Sequence, residues 1–365
     1  MKKKIAIIMA AAVLALTACG QKQKVENTAK EESLTSEDSS TSRATSENTE
    51  AFIEKIDLSD YKLNIGSLKG PTTMGLVNMM DKNEKNNLPF AAEFTMAVAP
   101  DEITAKLVSG DLDIALIPAN LASVLYQKMN NQENADENTG IAVLNINTLG
   151  VIYGVTGNAD ITSLQDLEGR DVYMTGQGTT PEFAFRYILD RNGLSDKVNI
   201  IFKNEATEIA AIMNEDPESI AVIPQPFASV CMAKNSQIKE FLNLTEEWNK
   251  VSEDGSEMIT GVTVIRKSVL NEYPAELITA FLEEQKKSVE EAFSNQDVTA
   301  ELVAKYGIIE KAPIAKMALP KCNLSCITGE DMKTALSGYL NVLYKANPKS
   351  VGGKLPGDDF YYINK

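Results

Sequence analysis

The chain has 365 residues, 44% of them hydrophobic, enough to bury a sizeable core and to fill two lobes of ordinary domain size. Its formal charge of -16 and pI near 4.7 repel phosphate backbones, which speaks against nucleic acid as a partner. It contains no histidine, which removes Ser/His/Asp, Cys/His and His-based zinc chemistry, and no catalytic residue, metal or cofactor is expected.

Lys2, Lys3 and Lys4 precede an apolar run over residues 5–16, and Leu16-Thr17-Ala18-Cys19 follows it directly. This order reads as an export signal, and the run is shorter than the roughly 20 residues that a membrane-spanning helix needs. The segment resembles the signals of bacterial lipoproteins, which end in a Leu-x-Ala-Cys box. The resemblance implies cleavage after residue 18 and a lipid on Cys19, holding the protein to the outer face of a cell membrane; the C-terminal Gly352-Gly353-Lys354-Leu355-Pro356 followed by Asp359-Phe360-Tyr361-Tyr362 looks like that of Gram-positive proteins. Losing residues 1–18 removes three lysines and no acids, and takes the charge from -16 to -19. Residues 19–50 are rich in Ser, Thr, Glu and Asn and bury too little to order themselves; they read as a flexible linker. Three cysteines remain, Cys231, Cys322 and Cys326, and buried free thiols are the expected state.

Residues 61–66 alternate like a strand, residues 67–73 break it, and a helical pattern runs from Met74 through Met80. A strand at 91–98, a helix at 100–108 and a strand at 113–117 follow, and Pro118-Ala119-Asn120 opens a helix with Leu121, Val124 and Leu125 on one side. Residues 140–153 form an apolar run that is long for one strand. Beyond it the alternation restarts, with a helix near 163–167, a strand at 171–174 and a helix at 181–191. A strand at 198–202, a helix at 206–213, a strand at 220–223 and a helix at 225–233 complete the second unit. Residues 258–265 are again strand-like, and helices dominate from Pro274 onward. Strands alternating with helices imply parallel pairing and an α/β fold. The segments 148–152 and 258–262 are the hinge candidates. The domain at 51–365 then divides into one lobe at 60–148 and 262–365 and a second at 149–261.

In open α/β sheets ligands bind beyond the carboxyl ends of the strands, where loops enter helix N-termini. Gly70-Pro71-Thr72-Thr73-Met74 follows the first strand and Asn120 the third. Gly176-Gln177-Gly178-Thr179-Thr180 holds the equivalent place in the second unit, and Gln225 stands between two prolines after a later strand. Thr148, Gly150 and Tyr153 sit at the first hinge candidate. Each loop alone is ordinary turn chemistry; their recurrence at one topological position in both units marks a cleft. Tyr153, Phe183 and Phe227 are candidate apolar walls. The adjacent acids Glu246-Glu247, Glu283-Glu284 and Asp358-Asp359 read as solvated faces, because neighbouring helical residues point about 100° apart.

From Tyr61 to Lys365 the chain resembles substrate-binding proteins of ABC importers, of the nitrate/sulfonate/taurine and thiamine-precursor type. The resemblance is carried by Leu68-Lys69-Gly70-Pro71-Thr72-Thr73-Met74-Gly75, residues 111–118, Asp166-Leu167-Glu168-Gly169-Arg170, residues 221–226 and Gly352-Gly353-Lys354-Leu355-Pro356. It implies a two-lobed periplasmic-binding-protein-like fold of type II, each lobe a mostly parallel sheet flanked by helices, with two hinge-crossing segments. It also implies a monomer that closes on a sulfonate, nitrate or pyrimidine-like ligand and delivers it to an ABC permease. Gln225 replaces a glutamate common in related proteins, which weakens any case for a cationic ligand. Two other classes stay open: an enzyme on the same fold, such as a dehydratase of menaquinone synthesis or a pyrimidine synthase, and a surface sensor or adhesin.

Overall fold

The computed structural model describes residues 56–252 and 255–363; the export signal, Cys19 and the linker lie outside them. Among the described residues no helix is long and apolar enough to cross a membrane.

The first unit runs β1 (Lys62–Leu68), α1 (Pro71–Met74), α2 (Val77–Glu84), β2 (Ala91–Ala97), α3 (Pro100–Ser109), β3 (Ile114–Pro118), α4 (Ala119–Asn130) and β4 (Ile141–Leu149). The second runs β5 (Ile152–Thr156), β6 (Asp171–Met174), α5 (Thr180–Arg191), β7 (Asn199–Phe202), α6 (Ala206–Glu215), β8 (Ile220–Pro224), α7 (Phe227–Lys234), β9 (Lys239–Asn243) and α8 (Leu244–Val251). The chain then returns through β10 (Ile259–Arg266), α9 (Lys267–Glu272), α10 (Ala275–Ser294), α11 (Gln296–Lys305), α12 (Ala312–Ala318), β11 (Leu324–Ile327) and α13 (Gly329–Ala346).

Two sheets result, ordered β11-β4-β10-β3-β1-β2 and β7-β6-β8-β5-β9. β1, β2 and β3 of the first unit and β6, β7 and β8 of the second pair in parallel, with Ile65 opposite both Phe94 and Ile114, and Val172 opposite both Ile200 and Ile220. Between the third strand and the far edge each sheet takes in a strand that has just crossed from the other sheet, β10 in the first and β5 in the second. Those strands run antiparallel to their neighbours. The sheets are therefore more mixed than the expected mostly parallel pattern, because a strand arriving from the opposite lobe enters from the other end. The crossings fall at Gly150 and Val151 and between Val251 and Ile259, so the second lies just ahead of the expected 258–262.

Burial follows from covering both faces of the first sheet. Along β4, Ile141 and Val143 enter the main apolar cluster, and the intervening Ala142 and Leu144 join a second one with Leu63, Ile65 and Phe281. The main cluster is continuous across both lobes, joining Ile117 and Ile146 to Val172, Phe185 and Val222.

Several local expectations are corrected. The helix expected from Met74 to Met80 breaks at Gly75 and Leu76 into α1 and α2. On α4 the buried apolar side is Ala122, Leu125, Tyr126 and Met129, while Leu121 and Val124 are only half-buried. The run at 140–153 is two strands. Glu284 is not solvated: it is buried and pairs with Lys287 at 2.7 Å and Lys82 at 3.5 Å. Asp358 and Asp359 are exposed as expected, and Asp359 also accepts the Tyr126 hydroxyl at 2.5 Å.

The three thiols are free. Burial pushes Cys231 up to about 11, Cys326 up to about 12 and Cys322 higher still. At pH 8 a thiol of pKa 11 is a thiolate about one part in a thousand of the time. Ellman's reagent is therefore expected to label none of the three in the native protein within minutes and all three in urea. Rapid native labelling would mean that these segments open.

Candidate functional site at the interlobe cleft

The carboxyl ends of β1, β2 and β3 face those of β6, β7 and β8 across a cleft with a cavity volume of about 170 Å³. Gly70, Pro71 and Thr72 line it from the first unit, with Val98 and Pro100 after β2 and Pro118 at the end of β3. Thr175, Gly176, Thr179 and Pro181 line it from the second unit, followed by Asn204, Glu205 and Thr207 after β7 and by Pro224 and Phe227 after β8. Gly176 is required at its place: φ is 82°, and a Cβ there would stand 2.9 Å from the Pro181 ring.

The wall is built largely from helix starts. The amino ends of α3, α4, α5, α6 and α7 all contribute lining residues. Of these, α6 is capped by its own side chains: Glu205 and Glu208 form a reciprocal capping box. The other four have no bond from their N-cap side chain, but the Asn120 N–H of α4 donates to Thr180 Oγ1 and the Ser229 N–H of α7 to Gln225 Oε1, which leaves α3 and α5 as the starts whose first N–H groups have no side-chain acceptor among the described residues. Two charged side chains reach it among the described residues, Lys69 and Glu205. The Glu205 carboxylate is occupied by its capping bond and by the Thr207 hydroxyl at 3.0 Å. Thr260, at the start of β10, lines the floor, and its Oγ1 is buried without a partner among the described residues.

Of the residues singled out from sequence, Gly70, Pro71, Thr72, Gly176 and Thr179 line the cleft, as does the wall candidate Phe227. The others have different placements. Thr73 shares a 2.7 Å bond with Ser67, and Met74 is core. Thr148 donates to Asn147 at 2.9 Å within a buried amide network that also joins Asn145, Thr263 and Gln285. The Tyr153 hydroxyl donates to the Lys321 carbonyl at 3.2 Å. Gln177 and Gly178 are exposed, the latter donating its N–H to Glu182. Gln225 is buried beside the cleft; its Oε1 accepts the Ser229 N–H at 3.2 Å, and its Nε2 has no partner among the described residues.

Asn120 and Thr180 hold the two units to each other. From the start of α4, the Asn120 amide donates to the Gly178 carbonyl at 3.3 Å and to the Ser350 carbonyl at 3.0 Å, and its Oδ1 accepts the Thr180 hydroxyl at 3.2 Å. Both side chains are fully buried. Gly150 is likewise a packing position: a Cβ there would stand 2.8 Å from Met258 Cε, where the two crossing segments pass each other. Gly150→Ala is expected to cost about 1–3 kcal/mol in urea unfolding, with ligand affinity retained in the folded fraction.

The sequence reading missed Lys69, Val98, Pro100, Asn204, Glu205, Thr207 and Thr260. The signal for most of them was available, since the loops after the second strand of each unit occupy the same carboxyl-end position as the loops that were chosen.

A family model described as menaquinone biosynthesis matches residues 71–345. The chain belongs to this family. No curated protein matches the sequence. Among solved structures, this family member is similar to an ABC transporter from Parabacteroides distasonis, with a TM-score of 0.68 and 21% identity over 83% of this chain and 99% of that one. The ligand-binding component of an ABC-type import system from Staphylococcus aureus, solved with zinc bound, gives 0.61 at 16% identity, over 83% and 96% of the two chains. The periplasmic aliphatic sulphonate-binding protein SsuA from Escherichia coli gives 0.62 at 15%, over 83% and 94%. At these identities the likeness shows the fold, the two-lobed α/β architecture expected from sequence.

Proposed function

We propose that the protein is an extracytoplasmic solute receptor. A lipid on Cys19 tethers it to the membrane, and as a monomer it captures a small molecule between its lobes and passes it to an ABC permease. The observation that carries this reading is the cleft itself, where uncapped helix starts from both sheets converge on one space. Such ends are satisfied by water or by a ligand. The solute-binding descriptions of the solved neighbours support it, and so does the Leu16-Thr17-Ala18-Cys19 box.

The description of the family favours a second reading, an enzyme acting on a small molecule in the same cleft. General acid–base work is poorly served there: the chain has no histidine, and the carboxylate of Glu205 is committed to its own helix.

A thermal-shift screen of the protein against sulfonates, carboxylates, pyrimidines, amino acids and vitamins separates the two readings. A ligand at a hundredfold excess over its Kd adds about 2.7 kcal/mol of stability. Recovery of the bound compound unchanged is the expected result. Its conversion to a product on incubation would replace the receptor by the enzyme. Independently, Cys19→Ser is expected to release the protein from the membrane fraction.

A further inference from the structure

The cleft balances one cation against one acid in a chain that is strongly acidic. The whole sequence carries a formal charge of -16, yet the charged side chain that faces the cleft without an ion partner among the described residues is a cation, Lys69. It lies in the loop after β1, where its backbone N–H is fixed to the Ala97 carbonyl at 2.8 Å while the side chain stays half-buried. The opposing acid, Glu205, is held on its own helix, its carboxylate accepting the Glu208 N–H and the Thr207 hydroxyl. Around Lys69 open the uncapped starts of α3 and α5, and Thr260 adds a buried hydroxyl with no protein partner among the described residues. Leu68, Val98, Phe227 and five prolines, which have no N–H to offer, form an apolar part of the wall, beside the polar Thr72, Thr175, Thr179, Asn204 and Thr207.

Resting on the cleft as the ligand site, we propose that it takes a small molecule with an acidic head group, a carboxylate or a sulfonate, on an apolar body, and that Lys69 is the side chain that selects it. The cation and the helix ends hold the head group, and the apolar wall takes the rest. Nitrate leaves that wall without a counterpart. A neutral pyrimidine would need several converging side-chain amides, and Asn204 is the one amide of the cleft wall among the described residues, Asn120, Gln177 and Gln225 lying outside it.

The test uses matched pairs on the full chain: benzoate against benzamide, benzenesulfonate against benzenesulfonamide, and a series of straight-chain acids against their amides, read by thermal shift and calorimetry at millimolar concentration. The expected result is that at least one acid binds and its amide does not. Comparison of the carboxylate and sulfonate members identifies the head group. Lys69→Gln is expected to weaken the acid at least about tenfold, the loss of a charge-assisted bond, while Lys69→Arg restores most of the affinity. An amide that binds as tightly as its acid, Lys69→Gln without effect on the acid, or no acid bound in the series overturns the assignment. The comparison of acid and amide on the unaltered protein decides the matter even if a variant fails to fold. A neutral compound bound and recovered unchanged would sink this assignment and leave the receptor standing. An acid bound through Lys69 and then converted would do the reverse.

Discussion

Trp248→Ala is expected to destabilise the protein by about 3–5 kcal/mol, which in a domain of this size lowers Tm by roughly 10 °C. Trp248, the sole tryptophan, is fully buried on α8. Its ring stands 4.9 Å from that of Tyr187 on α5 and 5.2 Å from that of Tyr339 on α13, and its indole N–H donates to the Ser256 carbonyl at 2.7 Å. The substitution removes the largest side chain in this stack, opens a cavity and leaves the carbonyl unpaired. Since α8 belongs to the second unit and α13 packs on β4 of the first sheet, the loss falls on the seam between lobes. Trp248→Phe is expected to recover most of the packing and still miss about 1–2 kcal/mol for the hydrogen bond. Urea unfolding followed by circular dichroism measures both, because the variants lack the fluorophore. A cost below about 1 kcal/mol for Trp248→Ala would mean that the seam closes over the gap and that α8 and α13 are only loosely joined.

The elements that were legible in the sequence are those whose burial is written into their composition. β3 and β8 are short apolar runs followed by proline, and α5 announces itself through Thr179-Thr180-Pro181. β9 was not seen because Lys-Glu-Phe-Leu-Asn is an edge strand with one solvated side, and its two apolar residues make no period. β11, Leu-Ser-Cys-Ile, was hidden by the attention its cysteine drew. The antiparallel entry of β5 and β10 was out of reach: a sequence shows that a strand forms, whereas the direction in which it joins a sheet depends on which lobe it arrives from.

The site divides along the same line. Gly70, Pro71, Thr72, Gly176 and Thr179 were found because loop chemistry at a strand end is visible locally. Lys69 was visible as part of a motif, but its importance is that it has no ion partner among the described residues, a property of the folded molecule. The amides failed for the opposite reason. A carboxamide can serve a ligand or the protein itself, and the residue type does not say which. Gln225 turns its oxygen onto its own helix, and Asn120 spends its amide on the opposite lobe.

That assignment makes Asn120→Ala the decisive substitution for the seam at the mouth of the cleft. The Ser350 carbonyl is buried and would lose its amide donor, whereas Gly178 is exposed and water can replace the lost bond there. A stability loss of about 1–3 kcal/mol is expected from the buried acceptor alone. Thr180 loses its acceptor in the same step, so Asn120→Ala and Thr180→Ala should not add. A double-mutant cycle is expected to return a coupling of about 0.5–3 kcal/mol. The same cycle read on ligand affinity distinguishes the two roles of the amide. If Asn120 joins the lobes, each substitution weakens binding through the same lost arrangement, and the double variant binds little worse than either single one. If Asn120 instead touches the ligand, its affinity loss persists undiminished when Thr180 is already alanine, and stability shows no coupling.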